Sequence, residues 1–130
     1  MNDRIDIKIY YEDTDCGGVV YYANYLGYLE RARTEYLENR GVSMVRLMAE
    51  GFSFVVVHVD ISYSLPAKYG DIISVYSEIE NATKATITFN HKVVKEQSDD
   101  IIATASVRLA CVGNNMKPRR INSDILRALR

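Results

Sequence analysis

No apolar run in this chain approaches the roughly 18 residues that a membrane-spanning helix needs, so no transmembrane segment is expected. A basic start followed by an apolar stretch and a small-residue cleavage site is missing as well, so no secretory leader is expected. Cysteine is scarce. With only Cys16 and Cys111 and no mark of secretion, the reading is reduced thiols and a cytoplasmic protein. Charge of one sign is also lacking: a formal net charge of −1 gives no bulk attraction to nucleic acid or to an anionic membrane. Nucleic acid is therefore not an expected partner, and any anionic ligand needs a local cluster of cations. There is no internal repeat, low-complexity tract or Pro/Gly/Ser linker. What is there is 130 residues, 48% hydrophobic and 25% charged, which predicts one soluble domain over 1–130 able to bury a core.

The chain is organised around residues 10–30, YYEDTDCGGVVYYANYLGYLE. Two acids, Asp13 and Asp15, follow an alternating run in which Ile5, Ile7, Ile9 and Tyr11 share one face of a predicted strand. Gly17 and Gly18 then permit a sharp turn, since neither carries a Cβ. From Tyr22 the period becomes helical: Tyr22, Leu26, Leu29, Ala32 with Arg33, Tyr36 and Leu37 recur three and four residues apart, and Gly41 is a natural stop. The arrangement delivers a carboxylate beside a helix entrance. A second short helix is predicted over 43–50, with Ser43 as its cap.

Most of the chain after Gly51 reads as strand. Over 52–65, Val55, Val57, Val59, Ile61, Tyr63 and Leu65 share one phase, while Phe54 and Val56 make the first half apolar on both faces, as in a strand covered on two sides. Strands over 72–80, 85–95 and 101–112 follow after short polar turns, and the four together predict a meander. One helix inserted after the first strand and covered by a single antiparallel sheet is an α+β layout. The doubly apolar stretch predicts that another subunit buries a further surface.

Other chemistry in the same residues is weaker. Asp13 suits a loop acid that accepts backbone N–H groups better than a second catalytic carboxylate. Cys16 has no histidine near it in sequence to activate a thiol. His91 shares a phase with Ile87 and Phe89, and His58 with Phe54, Val56 and Asp60, which reads both as strand histidines. The run Asp13-Thr14-Asp15-Cys16-Gly17-Gly18 superficially matches a calcium loop, but its fifth position is glycine and its twelfth is Asn24 in place of a bidentate glutamate; no metal site is expected. An aspartyl phosphotransferase would need alternating helices and parallel strands, which this pattern does not offer.

The pattern Tyr11-x-Asp13-Thr14-Asp15-x-x-Gly18-x-Val20-Tyr21-x-x-x-Tyr25, continuing through Glu30-x-Ala32-Arg33, resembles the 4-hydroxybenzoyl-CoA thioesterase group of hotdog-fold enzymes. It is most similar to the YbgC-like branch found with the Tol-Pal system. The similarity extends to Ala49-Glu50, Phe54-Val55-Val56, Pro66-Ala67 and Met116-Lys117-Pro118-Arg119. The resemblance implies a hotdog fold, in which about five antiparallel strands wrap one long central helix. It also implies a homodimer or homotetramer that hydrolyses acyl-CoA thioesters between subunits. No cofactor is implied beyond coenzyme A as part of the substrate, and acyl carrier protein is a further candidate partner.

Carried over residue by residue, the essential carboxylate of that group falls on Asp15, as nucleophile or as general base for water. The donors for the thioester oxygen fall at the helix start, on the N–H groups near Tyr22 and Ala23, with Asn24 placed to orient the entrance. Gly18, Val19, Phe54 and Val56 fall on the acyl-binding positions. Lys84, with the cluster Lys117, Arg119 and Arg120, falls where the CoA phosphates need cations. One departure stands out: many YbgC-like enzymes carry histidine at the position of Tyr22, and tyrosine there removes a side chain that titrates near neutral pH but keeps a hydrogen-bond donor. The alternative function is a hotdog domain that binds acyl-CoA or acyl carrier protein without turnover.

Overall fold

The computed structural model describes residues 3–129. The opening alternation gives β1 (Asp3–Lys8), whose Ile5 and Ile7 pack on the core while Arg4, Asp6 and Lys8 face away. The strand stops earlier than its period predicts. Tyr10 and Tyr11 are solvent-exposed, and Tyr11–Asp13 forms a 3-10 turn. The Asp13 carboxylate accepts the Tyr10 N–H at 2.8 Å and the Tyr10 carbonyl accepts the Asp13 N–H at 3.0 Å, so local bonds win over the ladder.

The long helix, α1 (Asn24–Glu38), begins after Tyr22 and buries Tyr25, Tyr28, Leu29, Ala32, Arg33, Tyr36 and Leu37. The stripe is therefore displaced from the predicted one: Tyr22 precedes the helix and Leu26 lies on its exposed flank. At the far end Arg40 donates to both oxygens of Asp3 at 2.9 Å and lies 3.5 Å over the Tyr36 ring, tying the helix to β1. That hydrogen-bonded guanidinium holds the Asp3 carboxyl below its ordinary range. The second helix, α2 (Met44–Ala49), starts where its cap predicts, with the Ser43 hydroxyl accepting the Arg46 N–H.

Strands β2 (Ser53–Tyr63), β3 (Ile72–Ala82), β4 (Thr86–Lys95) and β5 (Ile101–Val112) complete a five-stranded antiparallel sheet in the order β1-β3-β4-β5-β2. The predicted four-strand meander is thus corrected to three. β2 does not pair with β3, because the connection between them is drawn onto the acidic loop: Val20 N–H donates to Ala67 O at 2.8 Å and Val19 bridges Lys68. β1 takes the vacated edge of β3, and β2 crosses to the far side of β5.

A bulge between Val56 and His58 corrects the phase of β2. Phe54 and Val56 stand opposite Cys111 and Leu109, and Val59 opposite Val107, all on the helix side; Val55, His58 and Asp60 stand opposite Ala110, Arg108 and Ser106 on the outer face. His58 therefore does not share a face with Phe54. A second irregularity at Val93/Val94 puts Ile102 into the core and leaves Ile101 exposed. In β4 the predicted phase holds, and Ile87, Phe89, His91 and Val93 are all buried. The short helix α3 (Ser123–Leu129) lay unread in the basic tail; Asn122 caps it by accepting the Asp124 N–H at 2.7 Å, and Leu129 reaches the core.

Candidate active site

The acidic loop closes on itself as a tight hairpin. Asp15 N–H donates to Val19 O at 2.9 Å, and Gly18 N–H returns to Asp15 O at 3.0 Å. Gly18 sits at φ 81°, a conformation that side-chain-bearing residues rarely adopt, and a Cβ on Gly17 would meet Asp15 Oδ1 at 3.2 Å. The bare Gly17 backbone instead donates its N–H to that oxygen at 2.8 Å. Asp15 is thereby aimed by its own loop. The residue is solvent-exposed, and its Oδ2 carries no hydrogen bond among the described residues.

The loop is fastened to the helix entrance through the Asp13 carbonyl, which accepts the Tyr21 N–H at 3.0 Å and the Asn24 side-chain amide at 2.9 Å. Asn24 thus holds the entrance through its side chain. Its own N–H is already given to Tyr21 O at 2.9 Å, which removes it from the expected backbone donors. The N–H groups of Tyr22 and Ala23 have no backbone acceptor among the described residues and stand at the positive end of α1. Tyr63, last residue of β2, donates its hydroxyl to Tyr22 O at 2.9 Å. Beside Asp15, the Tyr21 phenol is raised, chiefly by its neighbour Tyr22 and in small part by the Asp15 carboxylate.

Sequence reasoning assigned most tyrosines to packing. The structure links five of them by successive ring contacts at this entrance: Tyr21 to Tyr22 at 4.9 Å between centroids, Tyr22 to Tyr63 at 6.5 Å, Tyr63 to Tyr25 at 5.5 Å and Tyr25 to Tyr28 at 5.8 Å. The clustering was hidden because Tyr63 joins from a strand 41 residues away from Tyr22.

The remaining expected site residues do not join Asp15 within one chain. Gly18 and Val19 belong to its loop, but Phe54 and Val56 lie at the start of β2, whereas Tyr63 at its end touches the acidic site. Lys84 follows the β3 end, and its carbonyl accepts the Ile121 N–H at 2.7 Å, which gathers Lys84 and the segment carrying Lys117, Arg119 and Arg120 at that same far end. An eleven-residue strand separates the two groups by roughly 35 Å. Arg119 is also engaged already: its guanidinium lies 4.0 Å over the Phe52 ring and donates to Gly51 O at 3.4 Å. The ammonium and guanidinium groups of Lys84, Lys117 and Arg120 make no ion pair among the described residues.

The profile of the thioesterase-like superfamily matches residues 10–129. The chain belongs to that superfamily. It is 37% identical over 124 residues to the acyl-CoA thioester hydrolase YbgC of Escherichia coli O157:H7, covering 95% of this chain and 92% of the relative. It is 40% identical over 114 residues to the acyl-CoA thioesterase YbgC of Haemophilus influenzae, covering 86% and 82%. The hypothetical protein TT1821 of Thermus thermophilus superposes with a TM-score of 0.92 at 31% identity, over 98% of this chain and 97% of that one. The fold is the hotdog fold, and the resemblance of the opening stretch to YbgC-like enzymes holds over nearly the whole chain.

No hydrogen bond among the described residues joins the cysteines or the buried histidine to Asp15. Cys16 is exposed with no histidine in contact, and Cys111 is buried, where burial raises its thiol above the ordinary range. His91 lies in the core at 2% exposure, its Nδ1 bonded to the Ser77 hydroxyl at 3.0 Å and its Nε2 without a hydrogen-bond partner among the described residues. Burial, with the nearby Arg33 guanidinium, brings its pKa down to about 3, so it is neutral at ordinary pH. No group of three or more His, Cys, Asp or Glu side chains among the described residues is arranged to hold a metal, and no described helix is long and apolar enough to cross a membrane.

Proposed function

We propose that this chain hydrolyses acyl-CoA thioesters to a free acid and coenzyme A, with Asp15 as the reacting carboxylate. The observation that carries the reading is the pairing of an exposed, loop-aimed Asp15 with two unpartnered N–H groups at the start of α1. The thioester carbonyl oxygen accepts from Tyr22 and Ala23, which stabilise the negative charge that develops on it. Asp15 then acts in one of two ways. It adds to the carbonyl carbon and expels the CoA thiolate, leaving a mixed anhydride for water to hydrolyse, or it takes a proton from a water that adds in its place. The Tyr22 hydroxyl supplies a donor at the mouth in place of an imidazole.

The complete site needs two copies of the chain. β2 is an open edge with Val56, Val57 and Val59 at 49, 51 and 37% exposure. Antiparallel pairing of β2 with the β2 of a second copy sets the start of one strand beside the end of the other. Phe54, Val56 and the cations Lys84, Lys117 and Arg120 of one chain then face the Asp15 end of its partner, bridging the 35 Å gap that one chain leaves open. Such an interface makes a homodimer the minimal active unit, and a homotetramer is built from two of them. Acyl groups delivered on acyl carrier protein would reach the same carboxylate.

A domain that binds acyl-CoA without turnover is the second reading, favoured only in that no side-chain base among the described residues is bonded to Asp15. The test is release of free CoA thiol from short, long and aryl acyl-CoAs by the native chain and by Asp15→Asn. Hydrolysis should fall by roughly two to four powers of ten while acyl-CoA binding persists. A folded Asp15→Asn chain that keeps its turnover removes Asp15 from the mechanism; a native chain that binds acyl-CoA and releases no thiol makes it a binding domain.

A further inference from the structure

Arg33, in the middle of α1, is 7% exposed, yet its guanidinium makes no ion pair and no hydrogen bond among the described residues. The Glu30 carboxylate, whose charge it feels, accepts the Thr34 hydroxyl at 3.2 Å instead. A guanidinium carries five N–H donors and a full charge, and leaving it buried and unpaired is costly. It lacks an acceptor, and its surroundings show from where one can enter. Arg33 and Leu26 are about two helical turns apart and share one flank of α1, turned away from Tyr28 and β1. Tyr36, one turn beyond Arg33, packs edge-on against Phe89, which places Arg33 over the sheet row of His91, Ala105 and Ile61. His91 feels its charge there. On this side Leu26 and Val59 are exposed, while Ile61 and Ala105 pack on the core but are only partly covered. An apolar groove thus runs between α1 and β2, with Tyr22 and Tyr63 at one end and Arg33 at the other.

We infer that Arg33 receives a carboxylate at the distal end of the acyl group, so that the preferred thioesters are ω-carboxyacyl-CoAs. The inference rests on the hydrolysis proposed above and adds to it the class of acyl group. Arg33 lies about 15 Å along the axis from Ala23, and helical side chains lean back toward the N-terminus, which leaves about 10 Å between guanidinium and amides. A straight acyl chain of about eight carbons spans that distance, with its methylenes on Leu26, Ile61 and Ala105. A planar guanidinium takes a carboxylate through two parallel N–H bonds. A methyl end offers none and leaves the buried cation unpaired, so the groove selects as much by rejecting plain chains as by holding the dicarboxylate.

The experiment measures thiol release from octanedioyl-CoA and octanoyl-CoA, which differ only at the distal end. The native chain should favour the dicarboxylate about 10-fold or more in kcat/KM, the range of a hydrogen bond to a charged group. Arg33→Met should lose that preference; it keeps the fold, because it replaces an unpaired buried charge by an apolar side chain. Arg33→Lys should retain part of it, since an ammonium keeps the charge without the planar fork. Titration calorimetry of both esters on Asp15→Asn should show the same preference in binding. Selective binding without thiol release would keep the inference and remove only the hydrolysis it rests on. A native chain that handles both esters alike in turnover and in binding would overturn it, as would a preference that survives in Arg33→Met. Loss of the dimer in Arg33→Met, seen by sedimentation, would assign the guanidinium to an acceptor on the second copy and overturn it as well.

Discussion

The two edges of the sheet are built differently. β1 is six residues long and presents Arg4, Asp6 and Lys8 on its outer face, a short charged edge that discourages further pairing. β2 is eleven residues long, is rich in valine and leaves Val56, Val57 and Val59 about half exposed. One edge is closed chemically and the other is left open. On the pairing proposed above, the Phe52 to Leu65 stretch is apolar to serve assembly, and the far-end cations serve the neighbour's site.

The largest effect expected from breaking this asymmetry comes from Val59→Lys, a charge set on the open edge. It should yield monomers by sedimentation and lower thioester hydrolysis about a hundredfold or more, since each chain then has only half a site. Mixing sharpens the same point: Asp15→Asn chains co-assembled with chains lacking Lys84, Lys117 and Arg120 should recover roughly a quarter of native turnover, because half of randomly formed dimers are hybrids with one intact site. Recovery no greater than that of either parent alone would mean that each site is built from a single chain.

Between the edges runs a row of paired residues, Asp3, Ser77, His91, Ala105 and Ile61, and His91 at its centre sets an acid limit. The folded chain keeps His91 neutral down to about pH 3, against an ordinary value of 6.5. The unfolded state thus binds more protons between those values, so the stability His91 contributes is complete above about pH 6.5 and is lost as pH falls toward 3, at up to about 1.4 kcal/mol per pH unit. Urea unfolding between pH 7 and 5 should show a shallower acid loss in His91→Asn than in the native chain. Next in size is Arg119→Ala at the β2 end. Losing the Phe52 ring contact and the Gly51 hydrogen bond should cost about 1–2 kcal/mol of stability, measurable in the same assay. The smallest effect is expected on the closed edge, where Arg4→Ala removes an exposed pair with Asp6 and a long hydrogen bond to the Tyr76 hydroxyl and should leave both the urea midpoint and the oligomer essentially unchanged.

Period and turn chemistry made the main elements legible: the long helix, the capped second helix and all five strands stand near their predicted positions. Strand order was not, because the β2–β3 connection is captured by Val19 and Val20, a long-range contact that no local period reports. Two of the sheet's bulges then reversed a phase that simple alternation carried forward, at Val57 and at Ile102. In the candidate site, Asp15 and the helix entrance were visible through a contiguous pattern. Tyr63 and the separation of Phe54 and Lys84 from Asp15 were not, since they depend on where β2 lies in the sheet. Arg33 and His91 read as members of apolar stripes, and their burial agrees, but burial also lowers the pKa of both.

The hydrogen bond from Tyr63 to Tyr22 O joins the last residue of the open edge to the helix entrance whose amides are proposed to receive the carbonyl oxygen. Seating a second chain on β2, as proposed, would therefore steady Tyr63 and, through it, the amides themselves. Catalysis per molecule would then depend on how crowded the protein is: on dilution below the dissociation constant of the pair, specific activity falls, and a cell that makes little of this chain holds a reserve that awakens as its copy number rises.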